Sequence, residues 1–517
     1  FFVNAEVTQK NQPLTNNVGE GSQITEATLQ QIVNRMSVIA PNYDHGGYGK
    51  FTREIPSKKF LVRLDWNIND VHRLTIRHNF VDASQDVISR NPLFLQFNNN
   101  GYTFFSNTNT SSIELNSRFS NRFSNELRVS YARVRDYRDI MGEPFPFIEI
   151  RGLEGVNATV DLGSERYSVA NKLNQDIITL SDNFSWYWHN HVFTFGTNNE
   201  FYNFYNLFIR DNYGVYIYNN LNDFINGNLP REYSYSFSNV PGNKRWAPEF
   251  QAYQLGFYAQ DEWKVNNRIK LTLGLRVDMP IFPDKPTANS TFNNDPYFQK
   301  FSVATDQMPD AKPLWSPRFG FNYDVFGNRT TQIRGGTGIF TGRIPFVWLS
   351  NQFSNTGVEY VRYNFTSAAQ FPGGFTFSPD PYNQPVGTVA ATSEINVVDP
   401  SFKFPQVFRV NLAVDQKLPF GIKGTLEGIY SKTLNNIVYK DLLRDANGNV
   451  NGFDNRPRYS IAYPTTPVPY TNVIYLGNSS DGYTYSISAS LQKDFAFGLS
   501  LFGAYTFGES KAVNDGT

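Results

Sequence analysis

From Arg268 to Asp278 the sequence RIKLTLGLRVD places Ile269, Leu271, Leu273, Leu275 and Val277 on one face of an extended strand. Lys270, Thr272, Gly274, Arg276 and Asp278 fall on the other. The alternation recurs with Phe60, Val62, Leu64, Trp66 and Ile68 against Arg63, Asp65 and Asn67. It recurs again with Tyr485, Ile487, Ala489 and Leu491 against Ser486, Ser488, Ser490 and Gln492. Between Gln175 and Trp188 the face formed by Ile178, Leu180, Phe184, Trp186 and Trp188 is interrupted only by Asp182. A period of two sustained over about ten residues excludes a helical reading and requires a sheet with one apolar and one wet face.

Pairing consecutive runs predicts seven hairpins with short connections, near residues 69–71, 121–122, 189–190, 265–267, 326–328, 418–420 and 495–497. With an N-terminal strand this makes about fifteen strands. The links between hairpins are long, covering residues 9–57, 84–108, 139–172, 209–250, 279–312, 343–404 and 433–480. In an antiparallel meander alternate connections lie at opposite ends, so every short turn falls on one side and every long loop on the other. That asymmetry belongs to an all-β transmembrane barrel of antiparallel strands with long extracellular loops. A soluble propeller or sandwich also alternates, but its strands are shorter and its links do not alternate in length.

Composition fits this reading. The 517 residues include 16% aromatics and 40% hydrophobics, and the 46 basic residues cancel the 46 acidic ones, so there is no basic excess for nucleic acid. Strand formers and turn residues (37 Gly, 28 Pro) prevail. The chain is polar on average, as a barrel is when its loops and lumen are hydrophilic. With no cysteine, disulfides, thiolate metal sites and a cysteine nucleophile are excluded. No apolar run reaches the length of a membrane helix. The opening FFVNAEVTQK is a strand-like run with no Met start or signal sequence, so a true N-terminus further upstream is expected.

Several local features follow from the residue types and their spacing. Aromatics at Trp66, Trp186, Trp188, Trp263, Trp315, Tyr323, Phe326, Phe495 and Phe497 are expected to form a girdle near the short-turn rim. Residues 22–39 read as a loop helix capped by Ser22 or Thr25, and 343–352 as a helix of a turn or two with Pro345 at its first helical position. His189 and His191 form an H-x-H that straddles a tight turn, where exposure explains them better than a metal does. Asp445, Asn447 and Asn449 begin like a calcium loop, but Val450 and Arg456 stand where the template needs Gly and Glu, so an Asn-Gly turn is expected. RGGTG (334–338) lies inside a strand, where its glycines relieve crowding or curve the wall. No nucleophile constellation stands out, and the chain is read as neither an enzyme nor a cofactor protein.

The stretches LGFYAQDEWKVNNRIKLTLGLRVD (255–278) and WSPRFGFNYDVFGNRTTQIRGGTGIFTGRIPFVWLSNQFSNTG (315–357) resemble the barrel of TonB-dependent outer-membrane receptors, and among these the Oar-like group with a carboxypeptidase-regulatory-like domain. The likeness extends over essentially the whole chain. It implies a roughly 22-stranded barrel, of which this chain would be a partial, single-domain piece (1–517), with the plug and TonB box absent. It implies import of a siderophore, peptide or glycan, driven by the TonB complex through an N-terminal segment, with outer-membrane lipid and the plug of the same chain as partners. The alternative is an adhesin whose long loops hold a surface partner without import. The expected lumen-facing residues are Arg63, Asp65, Arg77, Glu114, Arg118, Arg128, Arg276, Arg318 and Arg334, which would touch the plug or a passing solute.

Overall fold

The computed structural model describes residues 1–387, 393–449, 457–466 and 468–513. Among these, fifteen strands run as one antiparallel meander: β1 (Phe2–Pro13), β2 (Thr52–Asn67), β3 (His72–Val87), β4 (Tyr102–Arg118), β5 (Phe123–Ile140), β6 (Asn171–Trp188), β7 (His191–Phe208), β8 (Glu249–Lys264), β9 (Ile269–Ile281), β10 (Leu314–Asp324), β11 (Thr331–Thr341), β12 (Gln406–Lys417), β13 (Ile422–Asp441), β14 (Tyr483–Asp494) and β15 (Ser500–Lys511). Each pairs with its sequence neighbours, so all seven short turns lie at one end and all the long links at the other. Among the described residues β1 pairs only with β2 and β15 only with β14, which leaves the wall with two free edges.

The two faces of the wall differ as their residues require. Leu273 and Leu275 are each 47% exposed, and they belong to a continuous apolar band with Leu64, Ile76, Ile113, Val129 and Ile178. Register joins the band strand to strand: Leu64 faces Ile76, Ile76 faces Ile113, and Ile113 faces Val129. The opposite face carries Arg63, Asp65, Glu114, Arg128, Arg276 and Asp278, and higher up it is covered by a loop helix packed on Tyr202, Phe204 and Phe250. The covered, charged face is therefore the inside of the wall, and the bare apolar face meets lipid.

Most strands are longer than the alternation alone predicts, reaching 16 to 20 residues in β2 through β8 and in β13. Hydrophobic alternation reports only the part in lipid. Above it the ladder continues with polar residues on the outward side too, such as Asp82 beside Asn107 and Asp86 beside Thr103. One polar residue within the outward band, Asp182, is held by Asn125 at 2.7 Å.

Aromatics mark both rims. Trp188, His191, Phe193 and Trp263 stack in series at the short-turn end, with His191 Nδ1 2.8 Å from Asp261. His191 is thus engaged within the girdle, and among the described residues no group of three or more metal-ligating side chains occurs. Trp315 corrects the expectation. It opens β10, pairs with Val277 and lies 54% exposed at the loop-side rim, because a strand that leaves a long link begins at that end.

Glycines serve the inner face where large side chains cross it. A Cβ at Gly196 would stand 2.4 Å from the Tyr258 ring, and one at Gly256 would stand 2.4 Å from an Arg276 nitrogen. In the RGGTG stretch, Gly338 makes room on the inner face for the Arg318 side chain, at 3.1 Å from a Cβ placed there, while Gly335 makes room for the Phe321 ring on the outer face, at 2.9 Å. Between β7 and β8 the ladder opens at Asn198 and Asn199. There Asn199 Oδ1 accepts from Gly256 N at 3.2 Å, while Thr197 Oγ1 donates to Gly256 O at 2.9 Å. Side chains replace the missing backbone partners, as a membrane wall demands.

The sidedness has a direct test. Leu273→Arg should cost about 2–4 kcal/mol in refolding into lipid vesicles if it lies near the midplane, whereas Thr272→Arg, one residue away on the wet face, should change the urea midpoint little. Equal penalties at both positions would contradict the assignment of faces.

Candidate functional site

The nine lumen candidates share the inner face and group into clusters. Near the short-turn end Arg63 reaches Asp65 at 2.8 Å, Arg73 reaches the same carboxylate at 3.1 Å, and Thr75 donates to it at 2.8 Å. Glu114 receives Arg128 at 2.7 Å, and Arg128 also meets Glu126 at 3.0 Å. Arg118 donates to Asn121 at 3.2 Å beside the turn. On the far side Arg276 holds Asp278 at 2.6 Å and lies over the Tyr258 ring. Arg334 bridges Asp415 at 2.9 Å and Glu427 at 3.4 Å. Arg318 has no carboxylate partner among the described residues and lies over Phe340 instead, 4.7 Å from the ring centroid. Arg77 has no partner among them at all, standing between Arg63 and Ser112 in the register.

Sequence reasoning missed the other half of the site. The long links are not independent excursions; five of them fold into one cap over the mouth. Strands Phe147–Leu153 and Ala158–Leu162 form a hairpin, which Val215–Tyr218 and Phe94–Gln96 extend in parallel on its two sides. Glu232–Ser238 and Tyr360–Phe365 complete this side of a separate seven-stranded sheet. The first link supplies the helix Glu26–Ile39, capped by Thr25 as one of the two candidates, and buries Leu29, Ile32 and Met36 against the sheet. Tyrosines form part of this core: Tyr216 and Tyr233 are fully buried, and their hydroxyls bond Gln384 at 2.9 Å and the Pro385 carbonyl at 2.7 Å.

The second helix spans Val347–Ser354. Its N-cap is Phe346, so Pro345 sits one residue before the cap, and its carbonyl accepts from Trp348 N at 3.0 Å. This helix enters the mouth, where Ser350 takes a bond from Asn206 at 2.8 Å and Leu349 and Phe353 pack on the inner wall. Arg343 anchors the segment to Glu200 at 3.1 Å and to Tyr202 at 2.8 Å. Asp445 to Asn449 form one arm of a hairpin with Pro457–Ile461, and the calcium-template positions 450 and 456 lie outside the described residues.

Asp211 ties three links together. Its side chain has no exposure and receives Arg166 at 2.8 Å, Arg362 at 3.3 Å and Ser234 Oγ at 2.8 Å. Its backbone adopts φ 59°, a left-handed conformation that aspartate tolerates better than most residues. Burial pushes its carboxyl up, but the two guanidiniums and the hydroxyl outweigh this and hold it below the ordinary range. Asp161 is the opposite case. Burial, then the facing Glu149, raise it well above the ordinary range, with Arg166 opposing, and its Oδ1 has no partner among the described residues.

These two carboxylates should move the cap in opposite directions with pH. Asp211 stabilises the fold above the unfolded value of about 3.9, and that contribution is lost as pH falls through its lower folded pKa. Asp211→Asn, which leaves two arginines unmatched, should cost about 3–5 kcal/mol in hydrogen-exchange protection of Glu232–Ser238 at neutral pH. For Asp161 the stability is greatest below about pH 3.9 and is lost as pH rises through the raised folded pKa. Asp161→Asn should therefore increase protection of Ala158–Leu162 at pH 7 and leave it unchanged near pH 3; a loss of protection at pH 7 would contradict this.

The sequence matches the outer membrane beta barrel domain family over residues 2–517. No curated protein matches it in sequence. Among solved structures it is similar to the outer membrane transporter YddB of Escherichia coli, with TM-score 0.58 and 11% identity over 98% of this chain and 52% of that one. It is also similar to a variant of the ferric enterobactin receptor PfeA of Pseudomonas aeruginosa, with TM-score 0.49 and 11% identity over 98% of this chain and 57% of that one. The chain thus spans about half the length of these structures. With its two-faced wall and a family match over nearly its full length, the chain belongs to the outer membrane beta barrel domain family and is a protein of the cell outer membrane.

Proposed function

We propose that this chain is the wall and mouth of an outer-membrane receptor that imports a solute in the manner of TonB-dependent transporters, of the Oar-like type. The observation that carries the proposal is the pairing of a charged inner wall with a folded cap seated in its mouth. A barrel that only anchors loops at the surface has no need of a lumen lined by Arg63, Asp65, Glu114, Arg128 and Arg334. The fold likeness to an outer membrane transporter supports the same reading. In it a plug from the same polypeptide fills the lumen, the TonB complex pulls on that plug, and Arg77 and Arg318 are the side chains freest to engage plug or solute. The ligand belongs to one of three classes: a siderophore, a peptide or a glycan.

The test is accumulation in cells with and without the full-length gene, supplied in turn with a ferric catecholate siderophore, a labelled peptide mixture and a labelled oligosaccharide mixture. The expected outcome is gene-dependent accumulation of one class, abolished by a protonophore, with Arg77→Ala and Arg318→Ala together lowering the rate several-fold. Surface retention without accumulation, unaffected by the protonophore, would replace this reading with the adhesin.

A further inference from the structure

A cavity of about 180 Å³ lies where the cap sheet meets the helix in the mouth, and Arg210, Ser236, Asn351, Arg362 and Glu394 line it. The link after β7 supplies Arg210 and Ser236, the link after β11 supplies Asn351, Arg362 and Glu394, and the link after β13 supplies Thr471; Ser236 and Arg362 sit on adjacent cap strands. Its polar groups are incompletely matched. Arg210 touches one carboxylate, Glu394, at a long 3.4 Å, and Glu394 is shared with Asn355 at 3.2 Å. Arg362 spends one nitrogen on Ser234 Oγ at 3.2 Å and another on Asp211 at 3.3 Å. Ser236 is 4% exposed, and its Oγ has no hydrogen-bond partner among the described residues.

Charge narrows the occupant. Two guanidiniums (Arg210, Arg362) and one carboxylate (Glu394) line the cavity itself. Burial lowers the Arg362 pKa, and the neighbouring Arg210 lowers it further, so an anion placed between the two relieves their repulsion. A planar two-oxygen anion matches two guanidinium forks. Glu394 on the wall disfavours a dianion. The side chains of Arg210 and Glu394 are 34% and 31% exposed, so the cavity is reachable from outside.

We propose that this cavity binds a monoanionic carboxylate, held between Arg210 and Arg362 with Ser236 Oγ donating to it. The carboxylate is either a free short-chain acid or the C-terminus of a peptide. The inference rests on the transport reading and names the chemistry of its outer subsite.

The experiment titrates the full-length protein in detergent with propionate, dialanine and dialaninamide, followed by calorimetry. Dialanine should bind, and dialaninamide should bind at least about tenfold more weakly, as loss of a charge-assisted contact implies. Propionate binding as well as dialanine assigns a free acid; binding of dialanine alone assigns a peptide terminus. Arg210→Gln should weaken the carboxylates by about tenfold or more. Glu394→Gln, which removes only the repelling charge, should leave them as tight or tighter, so a folded variant remains informative if Arg210→Gln does not fold. Equal binding of dialanine and its amide, no effect of Arg210→Gln in a folded protein, weakening by Glu394→Gln, or no heat from either carboxylate would overturn the assignment. If neither carboxylate binds while the uptake assay still shows import of another solute, this inference falls and the transport reading stands.

Discussion

Lipid cannot hydrogen-bond a peptide group, and this constraint shapes the molecule. Every backbone N–H and C=O in the bilayer must find its partner sideways in the next strand. That fixes the antiparallel ladder from β1 to β15 and leaves side chains as the only variable, alternately toward fat and toward water. Where the ladder opens between β7 and β8, Thr197 and Asn199 take over both groups of Gly256. A gap of two residue pairs there takes two dedicated polar side chains.

The inner face is governed by the converse requirement. Charges on a wall of alternating residues stay solvated or pair with one another, some along one strand as Arg63 with Asp65 and Arg276 with Asp278, others across strands as Arg73 with Asp65, Arg128 with Glu114 and Arg334 with Asp415. These groups are partly exposed, so each pair adds little stability. Their effect is to orient the polar side chains along the inner face. The glycines at 196 and 256 belong to the same design, since each leaves room for a ring or a guanidinium against the wall.

Above the bilayer the chemistry reverts to that of a soluble domain. The cap has a packed core of Ile148, Ile150, Val160, Tyr216 and Tyr233 on one sheet, and a buried Arg-Asp-Arg cluster joins links that are far apart in sequence. A buried pair of this kind contributes specificity of docking more than net stability. The helix Val347–Ser354 belongs to a second core, packed on Tyr202, Phe204 and Phe250 of the inner wall, and Asn206 and the Arg343–Glu200 pair tie it there.

The sequence by itself determined the wall. Alternation in RIKLTLGLRVD and its counterparts located the strands, all seven short turns and all seven long links, because a strand's two faces meet different solvents and a period of two is the only pattern that serves both. The sharing of one face by Arg63, Asp65, Arg77, Glu114, Arg118, Arg128, Arg276, Arg318 and Arg334 follows from the same parity. Only the tertiary structure decided where the strands stop, since Asp82 or Asn107 above the lipid carries no hydrophobic signature, and which end Trp315 marks. It also decided the cap. The pairing of Phe147–Leu153 with Val215–Tyr218, or of Asp211 with Arg166 and Arg362, joins residues tens to more than a hundred positions apart. No local period records contacts of that range, and a tyrosine on a folded loop is written with the same letter as one in water.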